Sequence, residues 1–260
     1  MDYLDLHRKL DDAVKITADL VAPLVTTLLQ PQSILDVGCG NGVWLGAFHR
    51  TGVTDILGLD GDYIDRSALQ MPPECFHAAD LSQAFKLDRI FDLAVSLEVG
   101  EHLPESHAEA FVDSITAHAP AVLFSAAIPG QGGVGHINEQ WPSYWMAKFA
   151  RHGFVAYDAV RPKVWHNPDV VYWYAQNVIL YVRDTAVSRY PALSETPKVV
   201  LSDVIHPRRY VALDRAARLG DDPPLSHLMR NLPRAAGRFV KEKLGQPEHT
   251  REPVKEPEPQ

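Results

Sequence analysis

Two carboxylates and two imidazoles in the middle of the chain are able to support metal or acid–base chemistry. Glu98, Glu101 and His102 fall within five residues, and His136 follows in a glycine-rich segment. Carboxylate oxygens bind hard cations such as Mg²⁺ or Mn²⁺, and a bound cation lowers the pKa of a hydroxyl group. Imidazole is basic near pH 7 and takes a proton directly. The pattern therefore predicts a divalent ion at these residues or, without a metal, a catalytic base at His102 or His136.

A second pattern, at residues 33–42, predicts a binding site for a positively charged ligand. Its apolar residues are β-branched or leucine, as in a buried parallel strand, and three alternating glycines begin at Gly38. Glycines let the backbone approach a ligand, and the free N–H groups of the next helix point toward it. A dinucleotide site would have a small residue where Val43 stands. Asp36 would repel a pyrophosphate but would accept hydrogen bonds from an ammonium group, so an amino-acid ligand is favoured.

These residues and those that follow resemble the class I S-adenosylmethionine-dependent methyltransferases through about residue 183. Asp-Val-Gly-Cys-Gly-Asn-Gly matches their first motif, and an acidic residue ends the next apolar run, as in that family. The resemblance implies that this acidic residue contacts the ribose hydroxyls and that the stretch around residue 80 contacts the adenine. The residues expected to hold the cofactor are Asp36, Gly38, Cys39, Gly40, Asp60, Asp80 and Leu81. Cysteine also packs as a compact apolar group, which is the alternative role for Cys39.

The Glu-x-x-Glu-His pattern carries a resemblance of its own. It is similar to the metal motif of the small-RNA 2′-O-methyltransferases and of the ubiquinone-pathway O-methyltransferases. The resemblance implies Glu98, Glu101, His102 and His136 as ligands of Mg²⁺ or Mn²⁺, with Glu98, His102 and His136 in catalysis. A structural interpretation stays open, because carboxylates before Pro104 also suit the positive end of a helix.

The acceptor is indicated less directly. The segment from Ser125 to Trp145 resembles a methyltransferase subgroup associated with bacterial glycan and natural-product gene clusters. We therefore expect O-methylation of a hydroxyl group on a carbohydrate or glycosylated small molecule. RNA 3′ ends, phenols or quinones, and amines stay open as other acceptors, as does a non-catalytic protein that recruits a partner. Trp141 and Trp145 are four residues apart, which predicts one helical face for sugar stacking or for packing.

Alternating strand and helix patterns must position these residues, and they predict an α/β fold. The family resemblance adds a Rossmann-like, mostly parallel seven-stranded sheet in the order 3-2-1-4-5-7-6, with helices on both faces. Ligands of such sheets bind at the carboxyl ends of the strands, where the order reverses. The expected strands are 33–37, 54–59, 75–78, 91–97, 121–127, 153–158 and 176–183, and the expected helices are 5–29, 41–51, 62–69, 105–118 and 140–152.

Composition narrows the class of protein. The chain has 260 residues, 46% of them hydrophobic, and only two cysteines, so it can bury a core and has no disulfide framework. No run of about 20 apolar residues predicts a membrane span, and the acidic N-terminus does not resemble a signal peptide. We therefore expect a cytoplasmic protein. The net charge is −8, with −10 on residues 1–183, which argues against nucleic acid as a partner.

The pattern divides the chain into four parts. We expect an N-terminal helical segment over 1–30, the methyltransferase domain over 31–184, a helical extension over 185–245 and a disordered tail over 246–260, which is rich in Pro and Glu. Within the extension, residues 228–243 place apolar and basic side chains on opposite helical faces. Such a helix predicts peripheral contact with an anionic membrane or a partner, or packing on the domain.

Overall fold

The strands form one sheet whose order brings the predicted motifs to the same edge. The computed structural model describes residues 3–221. Its sheet has seven strands in the order β3-β2-β1-β4-β5-β7-β6, and only β7 runs antiparallel to its neighbours. The predicted strand order is confirmed. The strands are β1 Ser33–Val37, β2 Asp55–Asp60, β3 Phe76–Ala78, β4 Leu93–Leu97, β5 Ala121–Ser125, β6 Phe154–Tyr157 and β7 Ile179–Arg183.

Helices cover both faces of the sheet because successive strand residues point to opposite sides. Ile34 of β1 belongs to the core on one face and Leu35 to the core on the other. All five positions of β1, β4 and β5 are buried, as expected for central strands. The α-helices are α1 Tyr3–Leu29, α2 Val43–Arg50, α3 Ala108–His118, α4 Pro142–Arg151, α5 Arg161–Val164, α6 Tyr172–Asn177 and α7 Pro207–Asp221.

Each face has its own helices. The first core joins α1, α2 and α6 to the sheet through residues such as Val25, Phe48 and Ala175. The second core joins α3 and α4 to the sheet, with Ile115 and Phe149 fully buried. The predicted N-terminal helix is therefore present and packs on the sheet.

The prediction of a helix over residues 62–69 is wrong. The structure has only a single 3₁₀ turn, Arg66–Ala68, with no buried residue. The Asp65 side chain accepts a hydrogen bond from the Ser67 N–H at 2.9 Å, so it caps a local turn instead of continuing a helix. Ile64 and Leu69 pack partly against the first core, but five residues apart they do not share a helical face that packing could stabilise.

The compact unit of the chain extends to His206 and includes residues 185–206, which follow β7. Pro207 begins a second unit, of which the structure describes α7. The amphipathic segment 228–243 and the tail 246–260 lie outside the described residues. The four-part division of the chain stays a prediction.

Candidate active site

The glycine turn after β1 is held by close contact with the loop after β4. Gly38 has a φ of +85°, and a Cβ atom there would lie 2.3 Å from Cγ2 of Val99. The N–H groups of Gly38 and Cys39 both donate to the Leu59 carbonyl, at 2.8 and 3.1 Å. Position 38 therefore requires glycine for both its backbone conformation and its neighbour.

Asp36 supplies a buried negative group beside this turn. Its side chain is 2% exposed, and Oδ2 has no hydrogen-bond partner among the described residues. Burial, followed by the nearby Asp60 carboxylate, raises the pKa of Asp36 well above its usual value. Such an oxygen is costly to bury alone and is well suited to accept a hydrogen bond from an ammonium group of a ligand.

Asp60 ends β2 and uses both carboxylate oxygens. Oδ2 accepts a hydrogen bond from the Gly40 N–H at 2.7 Å, which joins the carboxylate to the glycine turn. Oδ1 accepts one from the Gly61 N–H at 2.7 Å and one from the Tyr63 hydroxyl at 2.6 Å. The carboxylate thus lies where β1 and β2 end, and a hydroxyl-bearing group already occupies one of its oxygens.

A cavity of about 820 Å³ opens at these strand ends. Four of its lining residues are carboxylates, and none of the described lining residues is Lys or Arg. The lining residues are Gly38, Asp60, Gly61, Asp62, Tyr63, Ala78, Ala79, Asp80, Leu81, Ser82, Glu98, Val99, His102 and Leu103.

The predicted cofactor residues divide between this wall and the turn behind it. Gly38, Asp60, Asp80 and Leu81 line the cavity, whereas Asp36, Cys39 and Gly40 lie in or beside the glycine turn and do not line it. Asp80 accepts hydrogen bonds from the N–H and hydroxyl of Ser82, which lowers its pKa. Cys39 is buried, and burial raises the pKa of its thiol far above the usual value, as in a packing role.

Three of the four predicted metal ligands come together. One ligand atom from each of Glu101, His102 and His136 lies within 4.8 Å of the others, and the two imidazole rings meet edge to face at 4.9 Å. Glu101 is fully buried, and neither carboxylate oxygen makes a hydrogen bond of normal geometry within the described part of the chain. Burial, followed by the charge of Glu98, raises the pKa of Glu101 to about 9. A buried carboxylate that is so poorly hydrogen-bonded and lies beside two imidazoles fits a bound cation.

The two histidines are placed differently. Burial, followed by the neighbouring His136, lowers the pKa of His102, so its imidazole is neutral at pH 7. Its Nδ1 lies 3.3 Å from the Gly135 carbonyl. His136 Nδ1 lies 2.9 Å from Glu139 Oε1, and its Nε2 lies 3.9 Å from Glu101 Oε1. His136 is thus oriented by one carboxylate and directed toward another.

Glu98 lies apart from this group of three. Its φ is +57°, an uncommon conformation for a residue with a side chain. Oε2 accepts a hydrogen bond from Gln131 Nε2 at 2.8 Å, and Oε1 accepts one from Asn177 Nδ2 at 3.2 Å. Burial is the main cause that raises the pKa of Glu98, and hydrogen bonds from Ser125, Asn177 and Gln131 oppose it. Glu98 therefore belongs to the cavity wall and to a network of amides.

A family model described as a methyltransferase domain matches residues 7–159, more than half of the chain. The chain belongs to this methyltransferase family. No curated protein matches its sequence. Family membership and fold together support S-adenosylmethionine as the methyl donor of this methyltransferase.

Solved structures resemble the methyltransferase in fold. DesVI of Streptomyces venezuelae is 18% identical, with a TM-score of 0.50 over 70% of this chain and 98% of that one. A sugar N-methyltransferase from Streptoalloteichus is 18% identical, with a TM-score of 0.49 over 65% and 87%. A magnesium protoporphyrin IX methyltransferase from Synechocystis is 16% identical, with a TM-score of 0.49 over 71% and 89%. At these identities the likeness describes the fold alone.

Several groups around the methyltransferase site are absent from the sequence prediction. Gln131 and Asn177 hold Glu98, and Glu139 accepts hydrogen bonds from the Gly130 and Gly132 N–H groups as well as contacting His136. The glycine-rich segment indicated a loop. No local sequence pattern indicates which polar side chains form hydrogen bonds with this loop or with Glu98.

The two tryptophans do not share a helical face. Trp141 precedes α4 with an extended backbone, whereas Trp145 lies within the helix and is 1% exposed. The ring of Trp145 packs against Phe124, at a centroid distance of 5.1 Å. Packing, and not sugar stacking, is therefore the role of Trp145.

No helix in the described part of the methyltransferase is long and apolar enough to cross a bilayer.

Proposed function

We propose that this methyltransferase transfers a methyl group from S-adenosylmethionine to a hydroxyl group of a carbohydrate or glycosylated small molecule, with Mg²⁺ or Mn²⁺ held by Glu101, His102 and His136. The observation that carries the proposal is the fully buried Glu101 carboxylate beside two imidazoles, whose oxygens make no hydrogen bond of normal geometry among the described residues. Such a group is destabilising unless a cation or a ligand compensates it.

The donor binds in the cavity at the carboxyl ends of β1, β2 and β4. Asp36 lies beside the glycine turn behind the cavity wall, and its Oδ2, which has no hydrogen-bond partner among the described residues, would accept from the donor's ammonium group. Asp60 has a carboxylate at the cavity wall for the ribose hydroxyls. A Cβ atom at Gly40 would meet no atom within 4 Å, so the turn leaves space for a ligand there. Asp80 and Leu81 line the part of the cavity assigned to the adenine.

The chain's own residues then prepare the acceptor oxygen. The sulfonium methyl group is already activated, and the acceptor hydroxyl must lose its proton as the new C–O bond forms and the C–S bond breaks. A bound divalent ion would lower the pKa of that hydroxyl. Without the ion, His102 is the base that receives the proton, because it lines the cavity and is neutral at pH 7. With the ion bound, the lone pair of His102 belongs to the ion, and the proton of the acidified hydroxyl passes to water. His136 is held beside His102 by Glu139.

The cavity also limits the class of acceptor. Four lining carboxylates without a lining Lys or Arg, among the described residues, repel phosphate groups. RNA and other phosphorylated acceptors are therefore disfavoured, and an uncharged or cationic acceptor is favoured.

The deciding experiment is a screen for radiolabelled methyl incorporation. Phosphate-free glycosides, sugar nucleotides, RNA 3′ ends and phenols are offered with Mg²⁺, with Mn²⁺ and with EDTA, to the wild type and to Glu101→Gln. We expect phosphate-free glycosides to be labelled, and we expect EDTA or Glu101→Gln to reduce labelling by about 10- to 100-fold. Full activity in EDTA and in Glu101→Gln would show that the reaction needs no metal ion at this site. Absence of donor binding in calorimetry would favour a non-catalytic role.

An amine is the second candidate acceptor, and Glu98 favours it. Its carboxylate lines the cavity, and the side chains that donate to it in the described structure, Ser125, Gln131 and Asn177, are all uncharged. A cationic amine would supply a charged partner. Labelling of an amine that survives EDTA and Glu101→Gln but is lost in Glu98→Gln would support this candidate over a hydroxyl.

A further inference from the structure

A chain of side-chain amides runs from Glu98 into the protein interior. Asn177 Nδ2 donates to Glu98 Oε1 at 3.2 Å and to Gln131 Oε1 at 3.0 Å. Asn177 Oδ1 accepts a hydrogen bond from Gln176 Nε2 at 2.8 Å, and Gln176 Oε1 accepts one from the His206 N–H at 2.7 Å. Gln176 is fully buried and Asn177 is 3% exposed. The inner end of the network is therefore enclosed, and the bond between Gln176 and Asn177 is protected from competition by water.

The network joins segments that are far apart along the chain. Glu98 directly follows β4, Gln131 lies in the glycine-rich loop between β5 and α4, and Asn177 ends α6 just before β7. Gln131 also accepts a hydrogen bond from the Ile128 N–H at 3.3 Å. Asn177 thus contacts both the wall of the cavity and the loop that leads to His136.

Neighbouring bonds fix the orientation of the Asn177 amide. Its nitrogen faces two oxygens, one of them a carboxylate, and its oxygen faces an amide nitrogen. The reversed orientation would place oxygen against oxygen and nitrogen against nitrogen. Aspartate at this position would do the same on the Glu98 side, because it has no N–H to donate. The position therefore requires an amide and not only a side chain of this size.

We propose that Asn177 is a positioning residue of the methyltransferase: it locks Gln131 against Glu98 and so holds the loop from Ile128 to His136 in place for methyl transfer. The proposal rests on the function proposed above. Because His136 lies five residues after Gln131 on the same loop, release of Gln131 displaces His136 from Glu101 and His102. A displacement near 1 Å is enough to slow a reaction about 100-fold.

The first test follows the loop itself and needs no acceptor. Hydrogen exchange is measured in the full chain for peptides that cover residues 128–140, in the wild type, Asn177→Asp, Asn177→Ala and Gln131→Ala. We expect exchange in these peptides to be about tenfold faster or more in all three variants. Gln32→Ala is the matched control, because Gln32 is an exposed glutamine that donates to the Gln30 carbonyl at the start of the sheet. Unchanged exchange in Asn177→Asp and Gln131→Ala would overturn the proposal.

The second test separates positioning from simple destabilisation. We expect the three variants to lower kcat by roughly 10- to 100-fold and to leave the affinity for S-adenosylhomocysteine within about threefold of the wild type. The double variant Gln131→Ala/Asn177→Ala should be no slower than the worse single variant, since both changes break one link. Additive losses would contradict the proposal. If Asn177 variants fail to fold, the partly exposed Gln131→Ala decides both measurements.

The two proposals fail in different ways. If no acceptor is methylated but the loop exchanges faster in the variants, only the proposed function fails. If methyl transfer occurs and neither loop exchange nor kcat changes in the variants, only the positioning role of Asn177 fails.

Discussion

In the proposed function, Asp36 gives up folding stability in exchange for donor binding. Its carboxylate is buried near a second carboxylate, and one oxygen has no partner among the described residues. Burying such a group without a partner costs about 1 to 3 kcal/mol. A ligand ammonium group would supply the missing partner and remove this cost. The relief of the cost on binding would then add to the affinity for the donor.

Asp36→Asn is therefore expected to stabilise the unliganded protein at neutral pH. The folded-state pKa of Asp36 is raised, so its stabilising contribution is complete below the unfolded pKa and is lost as the pH rises through the folded pKa. The free energy of unfolding of the variant should exceed that of the wild type by about 1 to 3 kcal/mol near pH 7. The two free energies should converge below about pH 4. Urea unfolding at a series of pH values measures the difference.

Two further measurements complete this prediction. S-Adenosylhomocysteine should bind Asp36→Asn about 10- to 100-fold more weakly, because a charge-assisted hydrogen bond is lost. Asp88→Asn, at an exposed position, should change neither stability nor affinity. A variant that is both less stable and equally tight in binding would contradict the role given to Asp36.

Tyr63 provides a second prediction at the residue scale. Its hydroxyl donates to Asp60 Oδ1, and this hydrogen bond is the main cause that raises the pKa of Tyr63 to about 12. The ribose hydroxyls are expected to need the same carboxylate. Tyr63→Phe removes the competing hydrogen bond and should tighten S-adenosylhomocysteine binding by about 2- to 10-fold in calorimetry. Weaker binding would mean that the hydroxyl contacts the ligand itself, and Tyr210→Phe, at an exposed position, is the control.

The sequence predicted the identity of many site residues but not their partners. Asp60 was predicted from the family resemblance, because an acidic residue ends the second apolar run, and Glu98 was predicted from the Glu-x-x-Glu-His pattern. The bond from Asn177 to Glu98 spans 79 positions along the chain. Such a contact depends on how α6 is placed against β4, and no local periodicity encodes it. The separation of Glu98 from Glu101, His102 and His136 could not be predicted for the same reason. It depends on Gln131 and Asn177, which bind Glu98 from distant parts of the chain.

At the element scale, the glycine turn between β1 and α2 depends on its close contact with the loop that follows β4. Gly38→Ala would place a methyl group 2.3 Å from Val99 Cγ2, and its φ of +85° is already strained for alanine. We expect Gly38→Ala to lower the free energy of unfolding by at least about 2 kcal/mol and to abolish measurable donor binding. Denaturant unfolding and calorimetry provide the two values.

Paired variants separate the clash from the backbone strain. Val99→Ala in the Gly38→Ala background should restore part of the stability, because it removes the atoms that clash. Gly40→Ala meets no atom within 4 Å and should cost only the strain of its φ of +54°, about 1 kcal/mol. Equal losses in Gly38→Ala and Gly40→Ala would show that contact with Val99 is unimportant.

The elements themselves were predicted unequally well, for a physical reason. The central strands combine β-branched residues with burial on both faces, so their pattern identifies them. The stretch 62–69 has helical length, but its partly buried Ile64 and Leu69 do not share a helical face, and Asp65 accepts the hydrogen bond of a local turn instead. Trp141 and Trp145 show the same limit, because α4 begins only at Pro142 and so excludes the first tryptophan.

At the scale of the whole molecule, charge and cavity support one another. The first 183 residues carry a net charge of −10, and the cavity wall has four carboxylates. A long-range negative potential and a negative wall both favour a cationic donor and disfavour a phosphorylated acceptor. The overall charge was evident from the sequence, whereas its concentration at one cavity depended on the fold.

Residues 185–206 contribute to the core of the same compact unit. Tyr190 is 7% exposed and Leu193 is 2% exposed within the first core. The Val199 N–H donates to the Ala156 carbonyl at 3.0 Å, and His206 closes the amide network at Gln176. A chain cut after Thr185 would lose all of these contacts. A cut after His206 is therefore the one that tests the segment 228–243 for binding to anionic vesicles while the core stays intact.

A pair of truncations tests this division of the chain. The chain that ends at His206 should keep donor affinity within about threefold of the full chain and melt within a few degrees of it, roughly 1 kcal/mol in a unit of this size. The chain that ends at Thr185 loses two buried side chains worth about 1.5 to 3 kcal/mol each, so it should melt about 5 to 15 °C lower. Thermal unfolding with and without S-adenosylhomocysteine provides the comparison. Equal melting temperatures for the two truncated chains would show that residues 186–206 add nothing to the fold, and would place the end of the stable unit at β7.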